Sequence, residues 1–230
     1  MENKILHSGI KRFTANTVGR DFAVGDIHGS FTELEKALTR INFNAQTDRL
    51  FSVGDLVDRG PESDLALEWL AKPWFHSIQG NHESICMWTI EGDTRYAMYT
   101  DLWLDDIPID KQLHFLYTFM ELPLVIEIET PSGLVGIVHA DFPFDDWHHL
   151  SHEHIDIPQT YMCQWSRERI DHNDKRPIKN IRAVIHGHTP LQKMAVLGNC
   201  YFIDTAGWMP EEGGFFTLLD LQTLEPATTS

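Results

Sequence analysis

What this chain lacks narrows its class first. Its three cysteines, Cys86, Cys163 and Cys200, stand far apart and form no Cys-x-x-Cys pair. An odd, scattered set builds neither a disulfide framework nor a thiolate zinc site, and reads as buried free thiols in a reducing compartment. No apolar run approaches the roughly 20 residues that cross a bilayer. The stretch Met1-Glu2-Asn3-Lys4-Ile5-Leu6-His7-Ser8 has neither the apolar core nor the small-residue cleavage site of a secretory signal. These absences predict a cytoplasmic protein without a membrane partner. Positive charge is scarce as well: 18 Lys and Arg stand against 34 Asp and Glu, for a net charge of −16. Nucleic-acid binders carry the opposite sign, because neutralised phosphates supply their affinity, so no nucleic-acid partner is expected.

What is present is the pattern of a folded α/β protein. Hydrophobic residues make up 42% of 230, enough for a closed core and too many for disorder. Strand-like runs at Phe22-Ala23-Val24, Leu50-Phe51-Ser52-Val53 and 74–78 each precede a glycine-bounded loop and then a helical pattern. Phe31, Leu34, Leu38 and Ile41 recur at helical spacing; Leu65, Leu67, Trp69 and Leu70 mark a second helix, and a third begins near Glu83. Strand, loop, helix, three times over, predicts βαβ units in a largely parallel sheet. Residues 96–120 read as helical, with Asp110 as N-cap and Leu113, Leu116, Phe119 and Met120 as the apolar stripe. A hairpin over 124–138 turns at Thr130-Pro131-Ser132-Gly133, and short strands follow at 182–185, 194–196, 201–203 and 215–219. The expectation is an α/β fold of two packed mixed β-sheets flanked by helices. With no repeat, low-complexity tract or linker, 1–230 reads as a single domain.

The chemistry lies in the loops: Gly25-Asp26-Ile27-His28-Gly29, Gly54-Asp55-Leu56-Val57-Asp58-Arg59-Gly60, Gly80-Asn81-His82-Glu83, Val138-His139-Ala140-Asp141 and Gly187-His188-Thr189. Asp26 and His28, two apart at a strand end, can converge on one ion. Asp55 can bridge two ions, Asn81 offers an amide oxygen, and His139 and His188 offer imidazoles. Mixed nitrogen and oxygen donors without thiolate suit two divalent ions, with manganese preferred and iron or zinc as alternatives. Such a pair acidifies a water between them and neutralises phosphoryl oxygens. In so acidic a chain, long-range repulsion of phosphate leaves attraction to these ions and a few placed arginines.

These segments resemble the signature motifs of the PPP-family Ser/Thr protein phosphatases, within the calcineurin-like metallophosphoesterases. The nearest likeness is to small bacterial and phage members, in which His-Ala-Asp plus an aromatic and proline, here His139-Ala140-Asp141-Phe142-Pro143, replaces His-Gly-Gly. The likeness runs from about Phe22 to Gly207. It implies that Asp26, His28 and His188 hold one ion, that Asn81 and His139 hold the other, and that Asp55 bridges. It also implies that Arg59 and Arg167 clamp the phosphate beside Asn81, with His82 as general acid and Asp58 as its carboxylate partner. The implied reaction is hydrolysis of phosphoserine and phosphothreonine on proteins or peptides. A hydroxide bridging the metals would attack in line, without a phosphoenzyme.

Two rivals share these motifs. Symmetrical diadenosine tetraphosphate hydrolases resemble the chain but usually carry Asp where Glu83 stands and Ala where Asp58 stands. A degenerate, non-catalytic scaffold would have lost ligands, and all six stand here. Other residues invite over-reading. His148, His149, His152 and His154 read as a solvated polar tract, His186 as a neighbour of the site rather than a ligand, and Arg169 as a competitor to Arg167.

Overall fold

The structure, a computed structural model, describes residues 8–93, 95, 102–150 and 155–227. In chain order the first elements are β1 (Ser8–Phe13), β2 (Asp21–Val24), α1 (Phe31–Arg40), β3 (Arg49–Ser52), α2 (Ala66–Leu70), β4 (Phe75–Ser77) and α3 (Asn81–Ile90). Then come α4 (Ile109–Met120), β5 (Pro123–Thr130), β6 (Gly133–Val138), α5 (Ile157–Trp165) and α6 (Glu168–Asp171). Strands β7 (Ala183–His186), β8 (Ala195–Leu197), β9 (Cys200–Phe202) and β10 (Leu218–Asp220) complete the chain.

Period-two alternation sends each central strand's residues into two cores. In β2, Phe22 and Val24 face one way and Ala23 the other; in β3, Leu50 and Phe51 divide likewise. Strands apolar on both faces must be covered on both sides. Strands β2, β3 and β4 run parallel, and β10 closes the smaller sheet antiparallel to β2, in the order β10-β2-β3-β4. The larger sheet is mixed, in the order β1-β5-β6-β7-β9-β8, with antiparallel hairpins β5–β6 and β8–β9 joined by parallel pairs.

Ala23, Phe51 and Ile78 of the smaller sheet's side meet Ile126, Ile137 and Ile185 of the larger sheet in a shared core. Helices α1, α3 and α4 cover the outer face of the smaller sheet through Phe31, Leu34, Met87, Phe115 and Phe119. Phe142, Trp147 and Cys163 cover the larger. The architecture is therefore helix, sheet, sheet, helix, as expected from the sequence.

Departures have local causes. The helix expected from residue 96 begins at Ile109, with only a short turn at Leu102–Leu104 before it; residues 96–101 lie outside the described residues. Pro108 sets the boundary, since it fixes φ and lacks an N–H, and Asp110 sits inside the first turn instead of capping it. Leu113 faces outward, and Phe115 takes its place on the buried stripe. Strand β1 and helices α5 and α6 are additions that no strong periodicity announced.

Candidate metal centre and active site

Each motif sits at the carboxyl end of a strand or at the helix start beyond it, where parallel sheets gather their functional groups. The loop after β2 carries Asp26 and His28, the loop after β3 carries Asp55, Asp58 and Arg59, and α3 opens with Asn81 and His82. His139 follows β6 and His188 follows β7. Backbone bonds lock the loops together: Ile27 and His28 donate to the Asp55 carbonyl at 3.0 and 2.8 Å, and Gly187 donates to that of His139 at 2.8 Å. Left-handed backbone is concentrated here, at His28, Asp55, Asp58, Arg59 and His188. Such conformations cost of order 1–3 kcal/mol each and persist only where surroundings impose them. Two motif glycines have a steric reason: a Cβ would stand 2.2 Å from Asp55 Oδ1 at Gly80, and 2.1 Å from Asp26 Oδ1 at Gly187.

Asp26, His28, Asp55, Asn81, His139 and His188 are all buried and converge. Each histidine commits its far nitrogen to a backbone carbonyl. His28 Nδ1 meets Val57 O at 2.9 Å, His139 Nδ1 meets Val53 O at 2.7 Å, and His188 Nε2 meets Trp165 O at 3.2 Å. A carbonyl only accepts, so those nitrogens donate, and each ring turns a lone pair to the centre. There the lone pairs find only other acceptors. Asn81 Oδ1 lies 2.9 Å from both His139 Nε2 and His188 Nδ1, and Asp55 Oδ2 lies 3.4 Å from His139 Nε2. His28 Nε2 is buried without a hydrogen-bond partner, 3.7 Å from Asp55 Oδ2 and 3.9 Å from Asp26 Oδ2. Atoms bound about 2.1 Å from a common cation stand about 3–3.5 Å apart, so the donor set fits divalent ions.

The structure revises the expected split of the ligands. The imidazole of His188 groups with His139 and Asp55, not with His28. It is the His188 backbone N–H that reaches Asp26, at 3.0 and 3.1 Å from the two carboxylate oxygens. Beyond Asp55, the second cluster combines His28, Asp55 and His82. His82 differs from the other histidines: its Nδ1 lies 2.7 Å from Asp58 Oδ2 and its Nε2 lies 3.4 Å from Arg59 Nη2. Burial alone would lower its pKa, but the carboxylates of Asp55 and Asp58 raise it, favouring imidazolium, a poor ligand. Asp26 is therefore the better third partner on that side. Burial, then Asp204 and Asp55, drives the Asp26 pKa well up, a repulsion that cations would relieve.

Three residues that the motifs left without a role support these groups. Glu83 accepts from the N–H groups of Asp55, Leu56 and Gly80 at 2.9, 2.7 and 2.7 Å, tying the second loop to the third. Burial and then Asp55 push its pKa up to about 7. Trp103 donates its indole N–H to Asp58 Oδ1 at 2.7 Å, so both oxygens of Asp58 are engaged. Trp208 lies 4.5 Å beneath the Arg59 guanidinium and packs edge-on to His28 at 5.1 Å. No local pattern marks either tryptophan; only the fold brings them to the site.

Arg167 is exposed and donates to the His188 carbonyl at 3.2 Å, which puts it at the rim. Arg169 is committed elsewhere: it bonds Asp141 and the carbonyls of Asp174 and Arg176, and so does not compete. His186 is buried, with Nδ1 on the Val138 carbonyl and its ring stacked on Phe202. His148 and His149 sit in a short turn capped by Asp146; His152 and His154 lie outside the described residues. The chain does contain one Cys-x5-Arg spacing, Cys163 to Arg169, that of cysteine-nucleophile phosphatases. The fold disarms it, since Cys163 is fully buried with its thiol pushed up to about 12 by burial, and Arg169 is held by Asp141.

The sequence profile of the calcineurin-like phosphoesterases matches residues 22–192. Serine/threonine-protein phosphatase 2 of Salmonella typhimurium is 33% identical over 86% of this chain and 92% of its own length. A symmetrical bis(5'-nucleosyl)-tetraphosphatase of Shewanella is 42% identical, over only 53% of this chain and 44% of its own. A solved serine/threonine phosphatase from Saccharomyces cerevisiae superposes with a TM-score of 0.62 at 16% identity, over 97% of this chain and 88% of that one, a likeness of fold. Among the described residues no helix is long and apolar enough to cross a membrane. The two-sheet fold, the paired acceptor clusters that suit a binuclear metal centre and the length of these matches agree: the chain belongs to the calcineurin-like phosphoesterases, within them to the PPP-family protein phosphatases of bacterial type, and is a hydrolase.

Proposed function

We propose that the chain is a metal-dependent phosphoserine/phosphothreonine phosphatase of the cytoplasm, one domain over 1–230, that uses two divalent ions, preferably manganese. The observation that carries this reading is the buried ring of carboxylate, amide and imidazole donors drawn to one centre, set directly beside a His82–Asp58 pair and an arginine. Asp26 and His28 would hold one ion, Asn81, His139 and His188 the other, with Asp55 shared. When bound, the ions would supply neutralisation of phosphoryl charge and activation of water.

The chain's own residues do the rest. The guanidinium of Arg59, seated on Trp208, and that of Arg167 at the rim offer paired N–H donors to phosphate oxygens and fix phosphorus for in-line attack. Asn81 presents its amide on the same side. His82 Nε2 gives its proton to the departing serine or threonine oxygen. Asp58 holds the Nδ1 proton and keeps the ring charged until transfer. Cys86, Cys163 and Cys200 are all buried with their thiols pushed up by burial, which supports direct hydrolysis over a cysteinyl-phosphate intermediate.

Asp58 and Glu83 favour a phosphoprotein over a dinucleotide. Both side chains are fully used here, and an alanine at 58 would leave His82 without its carboxylate. The test offers manganese-loaded protein a phosphothreonine peptide and diadenosine tetraphosphate side by side. Higher kcat/KM on the peptide is expected; cleavage of the dinucleotide alone would overturn the reading. Failure to release phosphate from p-nitrophenyl phosphate would point to a scaffold instead.

A further inference from the structure

The turn at Leu102–Leu104 belongs to none of the loops that deliver the site, yet it reaches into one of them. Trp103 in this turn donates its indole N–H to Asp58 Oδ1 at 2.7 Å, across 45 residues of chain. The other oxygen, Oδ2, holds His82 Nδ1, also at 2.7 Å. Asp58 is fully buried and Trp103 half-buried. One carboxylate thus joins an indole and an imidazole drawn from separate elements.

Both ends of this link are anchored independently of it. Leu104 is buried in the core that α1, α3 and α4 share. Gln112 of α4 donates to the carbonyls of Leu104 and Ile107 at 3.0 and 2.8 Å, and the Trp103 ring packs edge-on to Phe115 of α4 at 5.2 Å. The indole is therefore a placed donor, held by α4. On the other side, Asp58 has left-handed backbone, and its N–H bonds Ser63 Oγ at 2.9 Å.

A buried indole N–H needs an acceptor, and any carbonyl oxygen would meet that need. Here the acceptor is the carboxylate that carries His82. The last torsion of an aspartate is broad and two-fold, so a single hydrogen bond leaves the carboxylate plane free to turn. Bonds on both oxygens fix it. With Oδ2 fixed, the imidazole is held by Nδ1, and Nε2 stays 3.4 Å from Arg59 Nη2, on the side where the phosphoester would bind.

Building on the reading of His82 as general acid, we infer that Trp103 is a positioning residue for it, setting the Asp58 carboxylate so that His82 Nε2 meets the departing oxygen. The proton on Nε2 passes to that oxygen as the phosphorus–oxygen bond breaks, and the ring is left neutral. The consequence depends on the leaving group. A threonine alkoxide needs the proton as it departs, whereas p-nitrophenolate departs readily without it.

The test uses the full, manganese-loaded chain with Trp103→Phe, which keeps an aromatic ring toward Phe115 and removes the donor. On a phosphothreonine peptide kcat should fall about 5–20-fold with KM unchanged, and the loss on p-nitrophenyl phosphate should be at least about fivefold smaller. In a His82→Asn background the same substitution should cost less than about twofold, because residues that act as a unit are not additive. Phe115→Leu loosens the same packing and keeps the indole N–H, so it should lower the denaturation midpoint without a substrate-dependent loss of kcat. Equal losses of Trp103→Phe on the two substrates, no loss on either, a full further loss in the His82→Asn background, or a substrate-dependent loss in Phe115→Leu would each overturn the inference. Turnover of the peptide by the unmodified chain would leave the phosphatase reading standing in all four cases. Cleavage of diadenosine tetraphosphate but of no peptide by the unmodified chain overturns that reading and the role of Trp103 with it.

Discussion

The two sheets contribute to the site in different ways. On the smaller sheet, three successive strand–loop–helix units deliver Asp26, His28, Asp55, Asn81 and His82 from parallel neighbours β2, β3 and β4 within about sixty residues of chain. On the larger sheet, His139 and His188 arrive from β6 and β7, parallel neighbours forty-nine residues apart in sequence and separated by α5 and α6. The first half is a local device repeated; the second depends on pairing across the molecule. Asp55 joins them, lying 3.7 Å from His28 and 3.4 Å from His139.

Removing that joint should have the largest effect. Asp55→Asn is expected to strip metal from both sides and cost at least about 10³ in kcat/KM, several kcal/mol of transition-state stabilisation. Elemental analysis of the purified variant checks it; two retained ions would break the bridge assignment. His188→Asn then sharpens the comparison. It should lose the ion shared with His139 and keep the one beside His28, and diffraction at the metal absorption edge distinguishes the two.

His82→Asn should leave both ions bound while turnover falls about 10²–10⁴-fold, the usual worth of acid–base help. If metal content fell instead, His82 would be a ligand and the first half would carry one more than assigned.

The two arginines near α6 separate function from folding. Arg167→Ala should lower kcat/KM about 10–100-fold with stability unchanged, as expected for a charge-assisted bond to phosphate. Arg169→Ala should instead lower unfolding free energy by about 3 kcal/mol, because it strands the buried Asp141. Denaturant titration beside steady-state kinetics reads both.

The smallest effect concerns His76 on β4, packed against Phe13 and Phe51. Burial, then Lys11 and Arg49, lowers its pKa to about 4. A depressed folded-state pKa favours the neutral ring, so its contribution is fully present above the unfolded value of about 6.5 and is lost as pH falls toward 4. With solvent screening of this partly exposed ring the slope should amount to about 1–2 kcal/mol over that window, and His76→Phe should flatten it.

How much of this was legible follows the same division. The three strand–loop–helix units could be read because alternation, helical spacing and flanking glycine are properties of a few consecutive residues. Of the helix expected over 96–120, the described part forms from Ile109 to Met120, because Pro108 interrupts a pattern whose apolar spacing continues through it. Trp103, Trp208 and the bonds between Glu83 and the Asp55 loop carry no local mark, since each acts on a partner 27 to 180 residues away. Cys163 and Arg169 show the converse, a spacing with a chemical meaning that burial cancels.

By itself the sequence determined the donor types, their order along the chain and the half-parallel α/β frame that carries them. Which nitrogen of each histidine faces the centre, which donors cluster together, and which arginine is tied to a buried carboxylate were decided by tertiary structure alone. The reason is physical: a ring's orientation is set by the backbone carbonyl behind it, and Val57, Val53 and Trp165 reach His28, His139 and His188 only when the sheets have packed.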